Sequence, residues 1–387
     1  MADDWYEQEV PGDEEDDYSV REYDITAAPN DFNIKTIFDF IESGAVRIPG
    51  FQRNYVWDIK RASKLIESII IGLPIPQVFL YEEARNSFLV IDGQQRLMSI
   101  YYFMKLRFPR KEKRTDLRAI FGKHGGIPED VLQDDKYFTK FSLQLPSALP
   151  DRKNKFAGLN YSTLDEYKTT FDLRTIRNII IKQNLPQDDD SSIYEIFNRL
   201  NSGGVNLTPQ EIRTSLYHSK FYDLLYRLNL NQRWRKFIGI EEPDLHNKDI
   251  EILMRGFAML MDGADYKPSL TRFLNNFSKR SKAMTIETIQ YLDQLFAAFI
   301  ESSSNLSNRA FYGKSTNKFS ISMYEAVFSA ACKAAFATRT LDVCVVNSEK
   351  LELLKNDSQF IYATQFSIAS KANVRARLDE AAQILFA

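Results

Sequence analysis

The tightest constraint on how this chain can fold lies between residues 88 and 104. Phe88, Leu89, Val90 and Ile91 form a short apolar run of strand type that feeds directly into Asp92-Gly93-Gln94-Gln95-Arg96. Beyond that turn, Leu97, Ile100, Tyr101 and Met104 share one face at helical spacing. A strand that passes through a glycine turn into a helix demands an architecture of mixed α and β elements. It also limits what a ligand could meet there. The glycine lets backbone approach closely, the helix start offers unpaired N–H groups, and Arg96 brings a forked cation. These are the parts of a phosphate site. Asp92 would repel a bare triphosphate, so its presence calls for a bridging divalent cation or a general base. Gln94 and Gln95 can orient water or a base edge without adding charge. The same residues would also serve as a plain polar turn.

The surrounding pattern predicts more elements. Asp31 reads as the N-cap of a helix carrying Ile34, Ile37, Phe38 and Ile41, closed by Gly44. A second helix spans 60–71 and stops at Gly72, before Pro74. Two β-type runs, 77–81 and 88–91, are separated by a polar link that suits a hairpin. Residues 122–160 mix Gly, Pro, Asp and Lys with weak periodicity and read as a long insertion. An apolar β run returns at 177–183, followed by an amphipathic helix over 192–200. Thr208-Pro209-Gln210-Glu211 combines an N-cap threonine, a proline at the first helical position and a capping-box glutamate. Past about residue 215, stripes such as Ile289, Leu292, Phe296, Phe299 and Tyr324, Val327, Phe328, Ala331 make the rest helical.

Charge is distributed unevenly. Residues 1–24 hold eleven acids against the single base Arg21, leaving 49 basic and 41 acidic residues in the remainder. An acidic, disordered leader on a mildly basic body could compete with nucleic acid for a basic groove, or simply be a solvated tail. The stretch 107–123 carries seven Lys or Arg residues, and Arg110, Lys111, Lys113 and Arg114 are its candidates for DNA phosphates. Two cysteines, Cys332 and Cys344, give neither a disulfide framework nor a metal cluster. No apolar run approaches the roughly eighteen residues of a membrane span, and the acidic N-terminus does not read as a signal peptide. The cytoplasm is the expected compartment.

Two further clusters hold groups that can bind phosphate and base. Between Arg47 and Trp57, Gln52, Arg53 and three aromatics could bind phosphates and stack a base, or could form a turn around core rings. In the Phe197-Asn198-Arg199-Leu200-Asn201-Ser202-Gly203-Gly204 stretch, Asn198 and Asn201 share a helix face next to a glycine turn, where they could bind a ligand or cap the helix. There is no GxxxxGK[ST] loop, GxGxxG fingerprint, CxxC or HExxH signature.

Taken in order, the IPxFQRxYxW segment, IDGQQRL after a strand, and FNRLNSGGxxLTPQE resemble the N-terminal domain of GmrSD-type modification-dependent restriction proteins. The resemblance covers about residues 30–215. It implies an α+β fold with a ParB/sulfiredoxin-like core over 31–215, preceded by the leader over 1–30 and followed by a helical domain over 216–387. It also implies NTP binding and hydrolysis, with Asp92, Gln94, Gln95 and Arg96 as catalytic residues. Gly93, Gln52, Arg53, Asn198 and Asn201 would bind nucleotide, and Asp92 would hold Mg2+ or another divalent cation. The expected partner is modified phage DNA, with no membrane, and a homo-oligomer is left open. Such fusions continue into an HNH-type nuclease, which needs a general-base histidine and metal ligands. Of His124, His218 and His246, only His246 hints at one, and no histidine follows it. The nuclease is therefore expected on a separate subunit. The alternative reading is a ParB-like nucleotide-dependent switch or adaptor without functional turnover.

Overall fold

The computed structural model describes residues 5–7, 24–48, 55–114, 116–117, 120, 127–146, 154–185, 196, 208–244 and 246–386. The chain is α+β and divides into two compact units. One is formed by residues 22–207, the other by residues 1–21 together with 208–387.

The first unit is built on a five-stranded sheet in the order β1-β7-β3-β4-β2. The strands are β1 (Asp24–Asn33), β2 (Val46–Arg47), β3 (Val78–Ala84), β4 (Ser87–Asp92) and β7 (Thr175–Leu185). β3 and β4 form the expected hairpin, but its turn is tighter than the sequence suggested. The strands run up to Arg85 and Asn86, where Asn86 takes a left-handed conformation at φ 61°. β7 lies parallel to β3 and antiparallel to β1.

Beside this sheet α1 (Ile34–Glu42) packs on β1 and β2, α3 (Gln94–Met104) packs on α1 and on α2 (Ile59–Ile71), and the helix Tyr167–Leu173 packs on α1 and α2. The core between them buries Ile34, Ile37, Ile66, Ile69, Val78, Leu80, Val90, Leu97, Ile100 and Phe103. Full burial of such side chains stabilises by about 1.5–3 kcal/mol each. Asp31 does not cap α1. Asn33 does, accepting from the Thr36 N–H at 2.7 Å, while Asp31 sits in β1 and pairs with Arg177. The strand continues through residues that the sequence assigned to a disordered leader, because Asp24 to Asn33 find ladder partners on β7.

The stretch read as an insertion also joins the core. The helix Glu129–Gln133 and β6 (Phe138–Lys140), which pairs with β5 (Arg107–Pro109), bring in Leu132 and Phe138. Phe141, Leu143 and Phe156 follow. Of the helix expected over 192–200, only Ile196 lies among the described residues, and it is helical.

The second unit is helical. Its capping box is as expected: Glu211 N–H donates to Thr208 Oγ1 and Thr208 N–H to Glu211 Oε2. The helix it opens, Pro209–Tyr217, belongs to this unit and not to the sheet, so the boundary falls at 207/208. Arg213 of that helix is buried and reaches Glu251 on the helix Lys248–Asp262 at 3.5 Å. The predicted stripes are buried on Ile286–Ser302 and Ile321–Thr338, where Phe299 and Phe328 meet edge-on at 4.9 Å. Residues 5–7 of the leader belong here too. Phe319 N–H donates to Trp5 O, and Glu7 N–H donates to Phe319 O. Among the described residues, no helix is long and apolar enough to cross a membrane.

Candidate functional site

β4 lies inside the sheet, between β3 and β2, and delivers Asp92 at its C-terminal end opposite Phe79. The chain then turns at Gly93, which has φ 98° and serves as the N-cap of α3. A Cβ at this position would collide with Val78 Cγ1, so glycine is required on two counts, backbone angle and space. A glycine cap has no side chain to satisfy the first-turn N–H groups, so α3 begins without a side-chain cap. The partial positive charge of that helix end, about half an elementary charge, is directed at whatever binds there.

Arg96, one turn on, folds back over the glycine. Its Nη2 donates to Asp92 Oδ2 at 2.8 Å and to Gln77 O at 2.9 Å, while its buried Nε has no partner. The Asp92 carboxylate is 40% exposed and the Arg96 side chain 17%. The two side chains therefore form a half-open ion pair at the mouth of the helix. Gln94 Nε2 lies 3.8 Å from Met98 Sδ.

Gln95, expected to act on substrate, instead uses its side-chain carbonyl on the backbone. Oε1 accepts from Val56 N–H at 2.9 Å and from Trp57 N–H at 3.3 Å. Arg114, expected to bind DNA, grips the same two residues from the other side. Nη1 donates to Val56 O at 3.2 Å and Nη2 to Trp57 O at 2.7 Å. Burial lowers the proton affinity of its guanidinium, against the pull of Tyr55, Tyr102 and Asp58. Nearby, Tyr55 OH and Ser99 Oγ are 2.8 Å apart, and burial drives the Tyr55 phenol well above its ordinary range.

The other DNA candidates lie on the surface. Lys111 is exposed, Arg110 Nε donates to Asp135 O at 2.8 Å, and Lys113 pairs with Asp116 at 3.0 Å. Gln52, Arg53, Asn198 and Asn201 lie outside the described residues. His246 belongs to a turn: its N–H donates to Asp244 Oδ1 at 2.8 Å and its carbonyl accepts from Thr208 Oγ1 at 3.1 Å. Sequence reasoning missed Val78 beneath Gly93, the Gln77 carbonyl on Arg96 and the inward turn of Arg114. Only the glycine itself hinted at the first, and nothing in the local pattern marks the other two.

Among the described residues, no group of three or more His, Cys, Asp or Glu side chains could hold a metal ion. A cation at this turn would have Asp92 as its protein ligand and would take its remaining oxygens from phosphate and water. That is the usual manner of Mg2+ at nucleotide sites.

The chain is 23% identical to an uncharacterized protein of Methanocaldococcus jannaschii, over 58% of this chain and 45% of that protein, so it spans less than half the length of that relative. The GmrSD restriction endonuclease N-terminal domain matches over residues 34–218, which take in β2 to β7, the glycine turn and the capped helix Pro209–Tyr217. Over residues 34–218, just under half of its length, the chain is similar to GmrSD restriction endonuclease N-terminal domains.

Proposed function

We propose that this region binds and hydrolyses a nucleoside triphosphate at residues 92–96, with Mg2+ or another divalent cation. On this reading the chain is the DNA-sensing subunit of a restriction system that acts on modified-cytosine DNA through a separate HNH-type nuclease. The observation that carries it is the half-open Asp92/Arg96 pair set on an uncapped helix start. Phosphate oxygens would accept from the α3 N–H groups and from the Arg96 guanidinium, whose unpartnered Nε is one more donor to satisfy. Asp92 Oδ2 is engaged by Arg96, and Oδ1 carries no hydrogen bond among the described residues. Asp92 would hold the cation, whose chemistry is to offset the phosphate charge. Arg96 would stabilise the charge that grows on the transferred phosphoryl group. Gln94, on the first turn, is the side chain suited to orient a water molecule without adding charge.

Phosphate release from ATP, GTP, CTP and UTP with Mg2+ tests this directly. At least one should be turned over, and chelating the metal should stop it. Asp92→Ala should lower turnover by several orders of magnitude, and Arg96→Ala should weaken both binding and turnover. Wild-type rates in both variants would exclude the turn as the site. Tight nucleotide binding without phosphate release would favour a ParB-like switch.

A further inference from the structure

Residues 55–57 lie in neither helix nor strand, yet the backbone of Val56 and Trp57 is fully hydrogen-bonded. Both N–H groups go to one oxygen of Gln95, and both carbonyls go to the two ends of the Arg114 guanidinium. Two side chains from different parts of the chain thus replace the ladder that an extended segment would otherwise need. A third tie, from Tyr55 OH to Ser99 Oγ, lands on α3 one turn beyond Gln95, and the Arg114 guanidinium lies 5.8 Å from the Tyr55 ring. Just after the gripped residues, Asp58 caps α2 by accepting from Arg61 N–H at 2.7 Å.

The rings of Tyr55, which is buried, and Trp57 pack on the core, whereas Val56 between them is 53% exposed. The polar grip fixes the backbone between those two anchors, and it acts on Gln95, the neighbour of Arg96 in the first turn of α3. From this geometry we infer that Gln95 and Arg114 form a two-sided clasp on residues 55–57 that positions the first turn of α3. Arg114 is thereby a positioning residue of the nucleotide site and does not bind DNA. The inference rests on the nucleotide reading above. A lysine at 114 keeps the charge but cannot fork across two carbonyls, and an alanine at 95 removes the shared acceptor.

The test uses the full chain and two readouts. Hydrogen exchange followed by mass spectrometry reads the backbone of residues 55–58 without any nucleotide. Gln95→Ala and Arg114→Lys should each speed that exchange about tenfold or more, as expected when bonds to a shared or charged partner are removed. With the NTP that the wild type turns over, both variants should raise KM about tenfold and change kcat less. Arg114→Gln should leave DNA affinity and its salt dependence unchanged. Unchanged exchange in both variants would overturn the clasp. Faster exchange with wild-type KM and kcat would overturn the positioning role. A weaker salt dependence in Arg114→Gln would return Arg114 to the DNA surface. If the wild type neither binds nor hydrolyses any NTP, the nucleotide reading falls and takes the positioning role with it, while the exchange data still report on the clasp.

Discussion

Two arrangements of the same chemistry, one in each unit, are put to different uses. In the helical unit, Glu325 is held between Arg255 and Arg377, and all three side chains are 1% exposed or less. They tie three helices together: Lys248–Asp262, Ile321–Thr338 and Lys371–Phe386. At the glycine turn, Asp92 and Arg96 form a single pair with the carboxylate 40% exposed. A buried triad has lost its water, so its charges depend on each other and can accept no ligand without unfolding the helices around them. The open pair gives up little when its partners are exchanged for phosphate and a cation, because water already screens it. Burial, more than residue type, separates the closed triad from the open pair.

The comparison breaks most visibly at Glu325. Glu325→Ala would remove the buried carboxylate that Arg255 and Arg377 share, and it should destabilise the helical unit by about 3–5 kcal/mol. Asp92→Ala should cost no more than about 1 kcal/mol, since exposed pairs contribute little. Urea denaturation of both variants measures the contrast. Equal destabilisation would mean that the turn is as structural as the triad.

A second buried carboxylate sharpens the point through pH. Burial alone would raise the Glu251 carboxyl, but Lys248, Arg213 and Arg255 outweigh it and hold the group at about 2, against an ordinary 4.5. A depressed folded-state value stabilises the fold above the unfolded value, and that stabilisation is lost as pH falls through the folded value. The sensitive window therefore lies between about pH 4.5 and 2, and the contribution is about 3 kcal/mol. Denaturation of wild type and Glu251→Gln across that window should give curves that converge as the acid limit is approached. Parallel curves would show that Glu251 gains nothing from its charged neighbours.

The sequence made plain what is local and periodic. The 92–96 turn, the Thr208 capping box and the stripes on Ile286–Ser302 and Ile321–Thr338 each depend on residues a few positions apart. Elements whose reasons are distant were not legible. β1 reads poorly because Asp24, Pro29 and Asn30 are weak strand formers, and its pairing with β7 joins residues some 150 positions apart. Leu132, Phe138 and Phe156 come from short elements with no period of their own, so a real part of the core looked like an insertion. Arg114 looked like one of four equivalent surface cations, and only the fold turns it toward Val56 and Trp57. The site carries the same lesson: Asp92, Gly93 and Arg96 could be read from the motif, whereas the backbone role of Gln95 could not.

The smallest expected effect concerns the three basic residues of this segment that stay at the surface. Lys111 is exposed, Arg110 is engaged by a single carbonyl, and Lys113 by a solvent-screened pair. Such interactions are worth about 1 kcal/mol or less, so a phosphate can displace them. If these residues meet DNA, each phosphate that is no longer neutralised should reduce the slope of log affinity against log salt by about 0.9. Changing Arg110, Lys111 and Lys113 to Gln should then flatten that slope by up to about three such steps. Phosphate release without DNA should stay at the wild-type level, since none of the three touches the glycine turn. Binding to a labelled duplex at several salt concentrations reads this out. An unchanged slope in the triple variant would leave the basic stretch as a solvated surface and send the search for the DNA-binding face elsewhere on the chain. A fall in phosphate release together with the flattened slope would mean that the segment supports the turn as Arg114 does, and the contrast between the inward arginine and its outward neighbours would fail.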